Sequence, residues 1–197
     1  IDGSLYIYGD YINDSYDDHW SYTNDFDGTA LVDPNYRQSV VEIENNGSVR
    51  YLSGSLTING SSTATSTIAS QTSGTYNFVI GGDTDADLNY FQFRDTDVNG
   101  LVFSGSPTVN DLTFGDFEVA IDSATAMTVG GTVISANPAQ NFTNVAFATT
   151  TAISAFNVTA TGTSVSSWRF VKVPGNIGGE DFDVDPGGDP GLGVWED

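Results

Sequence analysis

The chain has 197 residues, with 26 acids against five bases and a formal net charge of −21. That charge repels nucleic-acid phosphate and anionic lipid heads, so neither is expected as a partner. Cysteine is absent, which excludes disulfides, thiolate catalysis and cysteine zinc sites.

The length suits one domain with a sizeable core. No apolar run reaches the roughly 18 residues of a membrane helix, so membrane insertion is not expected. Ile1 is not a start methionine and the opening does not read as a signal peptide; the expectation is a mature, processed or excised piece of a longer protein. Lysine occurs once, as Lys172, and apolar residues make up 39%. Thr, Val, Ile, Phe and Tyr supply the structured-looking segments, broken every few residues by Gly, Asn, Asp and Ser. No stretch of ten residues carries a 3.6 period, so the chain reads as all-β. A lysine-poor, Asp/Thr/Gly-rich, cysteine-free composition points to an extracellular or cell-surface setting in which calcium is available.

Three regions are expected. Residues 1–39 open with the alternating Leu5-Tyr6-Ile7-Tyr8 and continue through an aspartate- and tyrosine-rich run without a clean period. They read as an N-terminal strand followed by an irregular acidic and aromatic cap or assembly segment. Residues 40–174 carry short strand candidates at 40–43, 49–52, 56–58, 76–80, 88–93, 101–103 and 112–114. Further candidates lie at 117–121, 127–129, 132–134, 142–147, 153–158 and 168–173. Apolar positions recur near 22 residues: Ile58 to Ile80, Ile80 to Phe103, Phe93 to Phe114, Ile134 to Phe156, Phe147 to Phe170. Such a recurrence predicts a solenoid, a right-handed parallel β-helix with coils of about 22 residues stacked about 4.8 Å apart, eight or nine coils in all. A β-sandwich with evenly spaced strands is the alternative. Residues 175–197 form an acidic capping tail.

That tail reads Gly179-Glu180-Asp181-Phe182-Asp183-Val184-Asp185-Pro186-Gly187-Gly188-Asp189-Pro190-Gly191, then Trp195-Glu196-Asp197, after the strand Trp168-Arg169-Phe170. It resembles the closing segment of right-handed parallel β-helix regions in large bacterial surface or secreted proteins. There a W-x-F strand ends the solenoid and a GE-x-x-D-x-DPGGDPG-x-x-x-W-x-D tail covers its open end. The specific motif spans about thirty residues. The resemblance implies fold and surface location and no particular reaction.

Three acidic clusters have ligand-like spacing: Asp83-x-Asp85-x-Asp87, Asp95-x-Asp97-x-Asn99-Gly100, and Asp181-x-Asp183-x-Asp185-x-x-x-Asp189 after Glu180. The second opens like an EF-hand loop, but its twelfth position is Ser106 and not the bidentate Glu. Calcium is the expected ion, since alternate carboxylates can converge on a cation needing six to eight oxygens. Ordinary acidic turns explain the same residues.

Catalysis is not expected. A lyase acting on acidic sugars needs a base and positive charge, and Arg37, Arg50, Arg94, Arg169 and Lys172 are few and scattered. A hydrolase needs two carboxylates at a set separation, which so acidic a chain cannot single out. His19 is the sole histidine and no nucleophile or phosphate-loop motif occurs. Tyr8, Tyr11, Tyr16 and Trp20 suit a stacking platform for a glycan or a contact with a neighbouring subunit. Sequons at Asn13, Asn46, Asn59, Asn141 and Asn157 offer glycosylation sites.

Charge is unevenly placed. Residues 1–33 hold eight acids and residues 180–197 hold seven, whereas residues 123–179 hold none and carry only Arg169 and Lys172. A long uncharged β surface invites association. The expectation is an extracellular structural protein, a self-assembling filament or surface-layer subunit or a module of a larger surface protein. Arg169, Lys172 and the N-terminal aromatics would make the assembly contacts, with a homopolymer or neighbouring surface domains as partners. A carbohydrate-binding adhesin module is the alternative, and a β-helical polysaccharide-degrading enzyme a third.

Overall fold

The structure is a computed structural model that describes residues 5–13, 17–20, 23–32, 40–63, 65–71, 73–150, 154–185 and 193–196, as backbone alone through residue 40. It is a β-solenoid, nearly all β, with every strand pair parallel. Parallel pairing follows from the winding: a chain that circles in one direction lays each strand beside its counterpart one coil earlier.

The strands in chain order are β1 (Leu5–Asn13), β2 (Asp17–Trp20), β3 (Thr23–Val32), β4 (Val40–Ile43), β5 (Ser48–Asn59), β6 (Ser66–Ser70) and β7 (Tyr76–Asn89). Then come β8 (Phe91–Arg94), β9 (Thr96–Phe103), β10 (Thr108–Thr113), β11 (Asp116–Val119) and β12 (Thr125–Gly130). After a short helix α1 (Gly131–Ala136) follow β13 (Asn141–Thr143), β14 (Ala146–Thr149), β15 (Phe156–Thr161), β16 (Trp168–Val171) and β17 (Gly193–Glu196).

Three columns result. The first stacks the opening halves of β5 and β7 with β9, β12 and β15. The second stacks the closing halves of β5 and β7 with β10, and then β13, β16 and β17. Phe114 N–H links β10 to β13 by donating to the Thr143 carbonyl. The third runs β2, β4, β6, β8, β11, β14. Residues 48–63 with 65–70, 76–94, 96–119, 125–149 and 156–177 are thus five coils with described side chains.

Residues 1–39 were expected to be irregular after one strand. Instead β1 pairs with β3, β3 with β5 and β2 with β4, so the described part continues the same ladder. Thr132, Val133 and Ile134, expected in a strand, lie in α1; Val133 and Ile134 are buried from a helix as readily as from a strand. Strand β17, part of the C-terminal tail, pairs beyond the W-x-F strand β16.

Alternation decides what enters the core. In β7, Phe78, Ile80, Ala86 and Leu88 are buried, while Asp83 and Asp85 are exposed and Asp87 is half-buried. Inside, aromatic rings stack coil on coil. Phe93, Phe117 and Phe147 share register, with Phe117 5.8 Å from Phe93 and 5.3 Å from Phe147, the rings of each pair nearly parallel. Phe142, Phe170 and Trp195 share register in the second column, where Phe170 is tilted against Phe142 and Trp195 stacks on Phe170 at 4.6 Å.

The corners carry the strain. Tyr90, Phe114, Asn144 and Lys172 all have positive φ, between 49° and 55°, at one corner. Each donates its backbone N–H to the next coil, so the ladder imposes a left-handed residue there whatever the side chain. At another corner Gly82 has φ 58°, and an added methyl would overlap the Leu52 carbonyl oxygen. Asn137, at the end of α1, ties three coils together. Its Oδ1 accepts from Val109 N–H at 2.8 Å, its Nδ2 donates to Pro107 and Val133 carbonyls, and its carbonyl accepts Trp168 Nε1–H at 3.0 Å.

Phe117→Ala is expected to lower unfolding free energy by about 3–5 kcal/mol, the range for a deleted core ring. Gly82→Ala should destabilise by more than the about 1 kcal/mol that left-handed backbone alone costs a non-glycine residue, since the neighbouring backbone must also move. Urea unfolding followed by circular dichroism measures both.

Candidate functional site

The first acidic cluster becomes a row. Along a strand, alternate residues sit about 6.6 Å apart, too far for three of them to converge on one ion with ligands at about 2.4 Å. Asp83, Asp85 and Asp87 follow that row on β7, in register with Ser53, Ser55 and Thr57. Asp87 also lies in register with Asp111 of β10, whose carboxylate accepts from Asn89 Nδ2 at 2.9 Å. Burial, and then Asp111 alongside, hold the Asp87 carboxyl above its ordinary range.

The EF-hand-like cluster builds a bulge. Tyr76 registers with Thr96 but Phe78 with Leu101, so residues 97–100 loop out of β9. Asp97 fixes the bulge by accepting from Asn99 N–H at 2.8 Å and from Asn77 Nδ2 at 3.1 Å. Gly100 permits it, with φ 67° against the Ala126 carbonyl. Asp95 is a left-handed corner residue, and its carboxyl is raised by burial, which Arg94 partly offsets.

In the tail, Asp183 accepts Trp195 Nε1–H at 2.9 Å, Asp181 is exposed, and Val184, between Asp183 and Asp185, bridges Thr159. Asp189 lies outside the described residues. Among the described residues no group of three or more Asp, Glu or His side chains is placed to hold a metal.

Of the expected assembly residues, Tyr16 lies outside the described residues. Tyr8 and Tyr11 register with Asp27 and Ala30, and Trp20 with Ile43, so these positions belong to the ladder. Arg169 pairs with Glu196. Lys172 stands exposed at its corner. The sequon residue Asn157 is fully buried and its Nδ2 donates to Ile177 and Gly179 carbonyls, so it is no glycan acceptor in the folded chain.

The feature that sequence reasoning missed is a shallow groove of about 390 Å³ on the outer face of the first column. The β9 bulge supplies one wall through Val98 and Asn99, and Phe156, Thr159 and Thr161 of β15 line the far side with Val184. Ser123, Thr125 and Thr128 lie between them. Val98 is 54% exposed, Phe156 37% and Val184 41%, and no residue lining the groove is charged. Thr128 donates to the Asn99 carbonyl at 2.7 Å and so braces the bulge.

No known protein family, curated protein or solved structure matches this chain. No helix among the described residues is long and apolar enough to cross a membrane.

The Asp87–Asp111 pair generates a pH prediction. A carboxyl whose pKa is raised by folding favours the folded state below its unfolded pKa and loses that contribution as pH rises through the folded value. Asp87→Asn should therefore raise stability at pH 7 by about 0.5 kcal/mol, the order of a like-charge cross-strand pair. The gain should vanish near pH 3. Thermal melts of both proteins across that range measure it.

Proposed function

We propose that this chain is an extracellular structural module, a solenoid subunit that assembles end to end or side by side into a filament or surface layer. The observation that carries the reading is a belt of two successive coils, residues 123–179, without a single acid. On its N-terminal side, residues 83–122 hold nine acids; on its C-terminal side, residues 180–197 hold seven. Alternating neutral and acidic bands along one axis give each copy a surface that repels its like and accepts its unlike. A contact of that kind does not close on itself and propagates. Lys172 stands in the belt as an exposed cation for a neighbour's acidic residues, those of the N-terminal region included. The edge of β17, which meets no further strand among the described residues, is suited to end-on contact.

In this reading calcium acts by screening acidic residues between copies, in keeping with the linear row of Asp83, Asp85 and Asp87. No reaction is assigned to the chain.

Negative-stain microscopy and sedimentation velocity, with calcium and with chelator, test this. Polymers that lengthen with calcium and shorten in Lys172→Glu are expected. A single monomeric species in both conditions at high protein concentration overturns the proposal.

A further inference from the structure

We propose that the groove between the β9 bulge and β15 binds a strand of neutral polysaccharide, a ligand the assembly reading neither requires nor supplies. Four observations point there.

First, the groove is mostly apolar and carries a few uncharged polar groups. The Asn99 side-chain amide and the hydroxyls of Ser123, Thr159 and Thr161 have no hydrogen-bond partner among the described residues; Thr159 and Thr161 sit on the paired strand β15, Asn99 on the bulge and Ser123 on the turn before β12. Uncommitted hydroxyls and an amide offer both donors and acceptors, the complement of a sugar's hydroxyls. Second, Val98, Phe156 and Val184 expose apolar surface between those groups. Few precisely placed polar groups among apolar ones is the general make-up of a ligand site, and the Phe156 ring offers an apolar face to C–H groups of a pyranose.

Third, charge selects the ligand. No cation lines the groove, and the chain's net charge of −21 repels anionic chains. An acidic glycan is thus disfavoured and a neutral one is not. Fourth, the groove crosses the strands and does not follow one. β9 pairs with β7 and β12, and β12 with β9 and β15, while β15 is the last strand of its sheet and meets Val184 through a single bridge. A polypeptide laid across β9 and β12 has no ladder to join there, whereas a sugar chain needs only side-chain hydroxyls.

The groove also has a direction. It crosses from β9 over β12 and β15 to Val184, about 14 Å along the solenoid axis at about 4.8 Å per coil. That length suits several sugar units laid along the axis. The bulge makes the wall, a placement common beside functional sites. The Asp97 carboxylate is occupied in bracing it, through Asn77 and Asn99.

Affinity electrophoresis of the whole chain in gels containing dextran, mannan, xyloglucan or mixed-linkage β-glucan, with alginate as the anionic control, provides the test. At least one neutral polymer should retard the protein, alginate should not, and raised salt should leave the retardation unchanged. Phe156→Ala and Thr161→Glu, both at exposed positions, should weaken retardation about tenfold, the effect of roughly 1.4 kcal/mol, with unchanged circular dichroism. No retardation by any neutral polymer, retardation by alginate alone, or retardation unaltered in both variants overturns the proposal. So does a concentration-dependent dimer abolished by these substitutions, which would make the occupant a second copy.

Discussion

Every coil of this protein must offer its neighbours above and below the same hydrogen-bonding backbone at the same place. That constraint of register governs the rest. A parallel ladder leaves no freedom in which residues meet: Phe93 meets Phe117, and Phe117 meets Phe147, because their backbones are partners. Inside, the result is a continuous stack of rings. Outside, the same rule sets Asp87 beside Asp111, a repulsion the fold tolerates for the sake of the ladder.

The corners show the cost of that rule most directly. Tyr90 and Phe114 are poor choices for a left-handed backbone, yet both adopt it and stack on each other at 4.6 Å. The coil-to-coil hydrogen bonds of their N–H groups fix the turn, and ring stacking between successive corners offsets part of the strain. Where the backbone of the next coil comes too close, as at Gly82, only glycine fits. Departures from regularity are concentrated between corners. The residues 97–100 bulge and helix α1 are both excursions that leave the ladder intact on either side, and the bulge turns an otherwise even face into a groove.

The legibility of the fold was uneven for reasons that particular residues make plain. Ile80 and Phe103 are true register partners, and their spacing of 23 is a real coil. Ile58 and Ile80, in contrast, stand in different columns: Ile58 pairs with Leu88 and Tyr51 with Ile80. Phe93 pairs with Phe117 and not with Phe114, which is turned out at the corner. Observed coils run from 19 residues (Leu5 to Asn24) to 31 (Met127 to Val158). A coil passes through up to three columns, so apolar residues from different columns recur at intervals shorter than one coil. Strand β6 escaped notice because Ser66, Thr67 and Ser70 are buried, where a polar residue is not expected.

The sequence by itself determined the architecture and the charge pattern. Short β-forming segments, frequent turn residues and a recurring apolar position are local properties, and the acid-free tract is a matter of composition alone. Only the tertiary structure decided which residues share a surface. Asn99, Ser123, Phe156 and Val184 lie up to 85 residues apart in the chain and line one groove. They meet because loops of unequal length bring successive coils into register. Loop length leaves the ladder unchanged and shifts every spacing in the sequence, so no period along the chain could have shown them as neighbours.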